Sequence, residues 1–282
     1  MSATRSLKGE HWLITGASRG IGAALAQMLA RQGAALTLIA RDLHAMQKQR
    51  DTLIQLGANQ VDLYSVDLSN QTETIQWAQE WAQAQGSRIR GVIHNAGLDL
   101  FVRFEILQPE LICDQLNLNL TAPLVINRVL LPHLDSNHPC HIIHMSSVAA
   151  FFPVPFGAVY SATKSGLASA NEALAIEYAN SHVQFSTIAP GFVHGTGMHE
   201  RHKDVAGTAP SMLGGTQLED VLTQVMRLIK DGRGRSVIVN RLPTRPLIAL
   251  TQIFPRFYRF IATRLVRPYI SKIAHSYQSD DH

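Results

Sequence analysis

The chain has 282 residues, of which 46% are apolar and 16% charged, which suits one large α/β unit and excludes global disorder. Its two cysteines, Cys113 and Cys140, show no metal-ligand spacing; they exclude a disulfide scaffold and fit a reducing, cytoplasmic setting. The net charge of +4 is uneven: nine of the 25 Lys/Arg fall in residues 233–279, which hold no Asp or Glu, so the other 16 are outnumbered by the 21 acids.

The first residues, MSATRSLKGEHWLITGAS, contain no apolar run with a cleavage site, so no secretory signal is expected. No stretch reaches the roughly 18 consecutive apolar residues of a spanning helix. Strand-like and helix-like segments then alternate, which predicts a parallel sheet with helices on both faces. HWLITG (11–16) reads as the first strand. It runs into Thr15-Gly16-Ala17-Ser18-Arg19-Gly20-Ile21-Gly22, where an Ala-rich helix opens and extends to Gln32. Glycines there let the backbone turn tightly and approach a pyrophosphate held on the helix N-terminus. A plain strand-to-helix turn would also be glycine-rich, and the spacing is not the common G-x-G-x-x-G.

ALTLIA (35–40) is the second strand. The place where an acid would take a ribose 2′-hydroxyl holds Ala40 followed by Arg41. An arginine suits a 2′-phosphate, with Arg19 as a second cation, so NADP(H) is expected over NAD(H). Asp42 reads as a solvated acid or the N-cap of a helix over 42–56. QVDLYSVDL (60–68) holds the third strand and ends at Asp67, which either accepts a hydrogen bond from adenine or caps the next helix. Trp77 and Trp81 on that helix, at i and i+4, read as packing residues. RIRGVIHNAG (88–97) holds the fourth strand, ending in Asn95-Ala96-Gly97.

Residues 109–134 carry helical patterning, and CHIIHMSS (140–147) is the fifth strand. His94, His141 and His144 read as packed strand residues, and no metal is expected. Thirteen residues after Ser147 comes Tyr160, and four further on Lys164. One helical turn places Tyr160 and Lys164 on one face. The ammonium favours the phenolate, so the tyrosine pKa is expected to fall from about 10 toward neutrality and equip it for acid/base work on a carbonyl/alcohol pair. Ser146 adjoins Ser147 but faces the other side of the strand. The helix runs to about Tyr178, and HVQFSTIAPG (182–191) is the sixth strand. An irregular segment, 192–216, a helix near 217–230 and a strand SVIVN (236–240) follow.

Together these residues resemble the short-chain dehydrogenase/reductase family in its single-domain form: TGASRGIG (15–22), NAG (95–97), Asn119 in LNLNLTAP, Ser147, Tyr160, Lys164 and Pro190-Gly191, in order over about residues 8–240. The resemblance implies a Rossmann-like doubly wound parallel sheet of about seven strands. It implies a catalytic set of Ser147, Tyr160, Lys164 and Asn119. Tyr160 exchanges the proton, Ser147 binds the substrate oxygen, Lys164 also holds the nicotinamide ribose, and Asn119 supports a relay water. Cofactor contacts are implied for Gly16, Ser18, Arg19, Gly20, Ile21, Gly22, Arg41, Asp67, Leu68, Asn95, Ala96, Gly97, Tyr160, Lys164, Pro190, Gly191 and Val193. By the same analogy a homodimer or homotetramer is expected. Three positions depart from the pattern: Gly195 where a threonine is frequent (Thr196 follows), Ala122-Pro123 where a glycine is common, and a long tail.

The expected activity is NADP(H)-dependent interconversion of a carbonyl and an alcohol. The rival class is a catalytically silent NADP(H)-binding sensor or scaffold, but such relatives typically lack the tyrosine or lysine. Phe151, Phe152, Val154 and Phe156, with Met198 and Met212 in the 192–216 segment, are candidates to line a lipophilic substrate pocket or to be core. The expected organisation is a domain over 1–240 and a basic amphipathic tail over 241–282. In the tail, helical spacing puts Phe254, Phe257, Tyr258, Ile261 and Leu265 on one face and Arg256, Arg259 and Arg267 on the other. Packing against the domain or a second subunit is the preferred reading; lying peripherally on an anionic membrane surface is the alternative. Nucleic acid is not expected as a partner.

Overall fold

Strands that are apolar along their whole length are stable only with both faces covered. His11–Thr15 (β1) and Cys140–Met145 (β5) are buried at every position. In the computed structural model, which describes residues 6–85, 88–196, 206–207, 215–240 and 244–279, they lie within a seven-stranded sheet. The other members are Ala35–Ala40 (β2), Gln60–Ser65 (β3), Ile89–His94 (β4), Val183–Pro190 (β6) and, after a short parallel pair Val193–His194 (β7) and Thr216–Gln217 (β8), Ser236–Val239 (β9). The order is β3-β2-β1-β4-β5-β6-β9 and every pairing is parallel. The direction of strand order reverses between β1 and β4, which opens a crevice at their carboxyl ends.

One face of the sheet carries helices Gly20–Ala30 (α1), Leu43–Gln55 (α2) and Leu218–Asp231 (α7), joined by Leu25, Leu29, Met46, Leu53, Val221 and Val225. The other carries Gln71–Gln85 (α3), Ala122–Leu130 (α5) and Ala158–Glu177 (α6), with Trp77, Trp81, Ile126 and Leu130 at its centre. Trp77 and Trp81 stack with centroids 5.6 Å apart and are buried, as packing residues should be. The strand histidines are packed too. His94 and His144 flank the Asn127 amide at 2.7 and 2.9 Å, and burial pushes their pKa values down to about 3 and about 4, so both rings stay neutral at physiological pH.

Two helices contain a widened π-turn, and in both a proline follows closely. Pro109–Leu116 (α4) runs through a π-turn at Asn117–Thr121 into α5, which has Pro123 at its second position. The tail does the same: Thr244–Ile253 (α8) breaks at Phe254-Pro255, and Pro255–Ile261 (α9) passes through a π-turn at Ala262–Val266 into Arg267–Ser279 (α10), with Pro268 second. Proline has no N–H for the carbonyl four residues back and its ring crowds that oxygen; one extra residue in the turn relieves both.

The break at Phe254-Pro255 and this extra residue together turn the tail's buried seam. Tyr258 and Ile261 turn inward, but Phe254, Phe257 and Leu265, expected on the same face, are exposed. Val266, Tyr269, Ile270 and Ile273 continue the inner face and form a third apolar cluster with Phe101, Phe156 and Phe192. The tail thus packs on its own chain at the carboxyl end of the sheet. Among the described residues, no helix is long and apolar enough to cross a membrane.

Candidate active site

The crevice begins with a backbone cradle. Gly16 has φ +66°, and a Cβ there would lie 2.7 Å from the Ala96 Cα. Gly22 has an ordinary φ, but its Cβ would collide with the Gly16 carbonyl oxygen. Only glycine lets the loop, α1 and the end of β4 approach this closely. Asn95 braces them: its Nδ2 donates to the Thr15 and Gly16 carbonyls at 3.2 and 3.1 Å, while the Asn95 and Ala96 N–H groups donate to Thr15 Oγ1, each at 3.0 Å. Thr15 sat inside the TGASRGIG motif, but its bracing role depends on a strand 80 residues away. Helix α1 starts with no side-chain cap and no acid in its first turn, which leaves its N–H groups and positive dipole end for an anion.

Arg19 and Arg41 are exposed at this end of the crevice. Asp42 accepts the Ala45 N–H at 2.9 Å and so caps α2. Asp67 does not cap α3; Asn70 Oδ1 takes that part by accepting the Glu73 N–H. Asp67 Oδ1 instead accepts the Ser69 N–H and hydroxyl at 3.0 and 2.7 Å, and the residue still lines the crevice beside Leu68. A glycine cradle, an uncapped helix start and two cations form a donor set that fits a phosphorylated dinucleotide.

Beyond the cradle lie Ser147, Tyr160 and Lys164. Ser147 follows β5 near the Tyr160 hydroxyl, and its Oγ accepts the Ala149 N–H at 3.1 Å. The Ser146 hydroxyl donates to the Lys164 carbonyl at 3.0 Å. Lys164 is buried, its Nζ donates to the Met145 carbonyl at 2.9 Å, and it sits 5.9 Å from the Tyr160 ring centroid. Burial pushes the ammonium pKa down to about 8, partly opposed by Asp99.

Tyr160 corrects the sequence expectation. Its pKa is pushed up, not down: desolvation dominates, Asp99 adds to it, and the Ser147 hydroxyl opposes both. In this structure Tyr160 is therefore a protonated phenol, a donor to an oxygen placed before it. The buried Asp99 was missed by the sequence reading. It lies two residues beyond Gly97, and nothing local distinguishes it from a loop acid.

Asn119 and Gly22 lie beneath the crevice, not on its wall. The Asn119 side chain accepts the Leu98 N–H at 2.8 Å and donates to the Leu98 carbonyl at 2.8 Å and Thr163 Oγ1 at 3.2 Å, which locks the strand end beside Lys164. Asn119 is in the π-turn, and Pro123 cannot supply the N–H its carbonyl would meet in a regular helix.

All the other predicted site residues line one cleft of about 710 Å³: Gly16, Ser18, Arg19, Gly20, Ile21, Arg41, Asp67, Leu68, Asn95, Ala96, Gly97, Ser147, Tyr160, Lys164, Pro190, Gly191 and Val193. Thr196 lines it also. Phe152 and Val154 are on the wall, Phe156 packs in the tail cluster, and Phe151 contributes no wall. Met198 and Met212 lie outside the described residues. The tail supplies Leu247, Thr251, Tyr258, Ile261, Val266 and Ile270. It is fastened there by hydrogen bonds from the Tyr258 hydroxyl to the Pro153 carbonyl and from the Tyr277 hydroxyl to the Asp99 carbonyl, the latter at 3.2 Å. The sequence showed that the tail has a packing face but not what that face would cover.

The sequence pattern described as short chain dehydrogenase matches residues 10–206. The chain is 30% identical over 264 residues to the ketoacyl reductase HetN of Nostoc sp., covering 90% of each. Among solved structures it is similar to a metagenomic short-chain oxidoreductase in complex with NADP, with a TM-score of 0.71 and 28% identity over 83% of this chain and 98% of that one. It is also similar to an alcohol dehydrogenase from the archaeon Thermococcus sibiricus complexed with 5-hydroxy-NADP, with a TM-score of 0.70 and 26% identity over 83% of this chain and 97% of that one.

Proposed function

The chain belongs to the short-chain dehydrogenase family and is a nicotinamide-dependent oxidoreductase; on that premise we propose that it uses NADP(H) to interconvert a lipophilic carbonyl and its alcohol. One observation carries this reading: a single cleft has the glycine cradle, Arg19 and Arg41 at one end, Ser147, Tyr160 and Lys164 at its floor, and an apolar wall from Phe152, Val154 and the tail at the other. The ketoacyl reductase relative, matched along nearly the whole chain, supports a carbonyl on an acyl-like chain.

When bound, NADPH supplies the hydride that the carbonyl carbon receives. The chain supplies the rest. Tyr160 gives its phenolic proton to the carbonyl oxygen, and Ser147 donates a hydrogen bond to the same oxygen as negative charge develops. The Lys164 ammonium stabilises the phenolate left behind, and the buried Asn119 holds the Leu98 backbone so that Lys164 keeps its place. Arg19 and Arg41 would hold the 2′-phosphate, and the α1 N-terminus would hold the pyrophosphate. Exposed Leu111 on α4 and Ile176 on α6 are consistent with a homodimer or homotetramer, which sedimentation velocity reads.

The test is NADPH oxidation against medium- and long-chain ketones, aldehydes and 3-oxoacyl thioesters, repeated with NADH. Tyr160→Phe should cut kcat by about 10²–10⁴-fold with NADPH affinity unchanged. Arg41→Glu should lower kcat/KM for NADPH by about 10–100-fold and spare NADH. Retained turnover in Tyr160→Phe removes the tyrosine from the chemistry, and equal use of NADH removes the arginine assignment.

A further inference from the structure

Six of the 13 exposed large hydrophobic residues among the described ones lie within residues 250–265 and outside the cleft lining: Leu250, Ile253, Phe254, Phe257, Phe260 and Leu265. Ile253 is 69% exposed and Phe260 61%. Such a concentration marks a contact surface rather than scattered surface residues. On α9, Arg256, Arg259 and Phe260 project away from the inward-facing Tyr258, Ile261 and Ala262, with Phe257 at the edge. Arg264, over the Phe260 ring at 5.3 Å, extends the charge, while Arg267 lies over Phe156 of the tail cluster at 6.0 Å; none of these four arginines has a carboxylate partner among the described residues. The segment 233–279 contains no acid.

We propose that this outer face docks on an anionic lipid surface, so that a lipophilic substrate enters the cleft from the bilayer. The delivery clause rests on the oxidoreductase reading above; the docking does not. Charge chooses the occupant. Aromatic side chains interspersed with arginines suit the acyl–headgroup boundary of an anionic leaflet. A two-fold pairing of this face with itself would set the same arginines against each other. The inner faces of the same helices line the cleft through Leu247, Thr251, Tyr258 and Ile261, so the docked surface and the site are separated by about one helix diameter, roughly 10 Å.

The test is flotation of the full-length protein with vesicles of equimolar phosphatidylcholine and phosphatidylglycerol, with phosphatidylcholine vesicles alone, and without lipid. Binding should require the anionic lipid and weaken with salt. Arg256→Gln with Arg259→Gln should lower vesicle partitioning about 30-fold, and Phe257→Gln with Phe260→Gln by at least about tenfold. Neither pair lines the cleft, so turnover of a water-soluble short ketone should hold in both, while turnover of a long-chain ketone dissolved in the vesicles falls. Circular dichroism melting checks that the variants fold. Absence of flotation, equal flotation with neutral vesicles, or double variants that bind like the parent overturn the docking. So does a changed sedimentation coefficient in the variants with vesicle binding intact, which would assign the face to a second copy. If the parent oxidises no NADPH with any soluble carbonyl, the oxidoreductase reading fails, while flotation still decides the docking.

Discussion

At the residue scale, Asp99 links the two titrations on which turnover depends. Its charge raises the pKa of both Tyr160 and Lys164. Reduction needs the phenol protonated and, in our reading, the ammonium charged. Activity is therefore lost as pH rises through the lower of the two pKa values, that of Lys164 at about 8. Asp99→Asn removes a field that raises both values, so the alkaline limb of kcat/KM should move to lower pH, while Asp99→Glu should largely restore it. A limb that does not move, or one that moves up, refutes the coupling. Tyr160 and Lys164 were legible as a pair because helical spacing brings i and i+4 together, while Ser147, which precedes the helix, joined them only through the family resemblance. The tyrosine's own pKa was not, because the desolvation that outweighs its neighbours depends on how the chain closes over the site.

At the element scale, the strand–glycine–helix unit was readable almost to the residue: β2 spans the predicted 35–40, and α1 opens at Gly20. Gly22 isolates the reason. Its φ is ordinary, so Gly22→Ala tests close approach alone. The added methyl must displace the Gly16 carbonyl, which overpacks the cradle by about 1–3 kcal/mol. The expected result is a melting temperature lower by a few degrees and NADPH affinity weakened at least about tenfold, read by calorimetry. Unchanged affinity would show that the cradle can yield without consequence. The tail helix was read less well for a specific cause. Its pattern was projected on one regular helix, while the break at Phe254-Pro255 and the π-turn before Pro268 turn the seam, so that Phe254, Phe257 and Leu265 face outward.

At the scale of the whole molecule, the cleft has two sources: a cofactor end built by the sheet and a substrate wall lent by the tail. Ile270 is 1% exposed and belongs to both the wall and the tail cluster. Ile270→Ala should destabilise the tail's seat by about 2–5 kcal/mol, raise KM for a long-chain ketone and leave the NADPH dissociation constant as it was. If cofactor and substrate affinities fall together, the two ends are not separable. The hydrogen bond from Tyr277 to the Asp99 carbonyl joins positions 178 residues apart, and this sets an order of events during synthesis. Chains fold from the N-terminus as they emerge, so a nascent chain can complete the sheet while α9 and α10 are still inside the ribosome. Such a chain has its nucleotide cradle but an open substrate side, and the site is finished only when α10 has been released and docks.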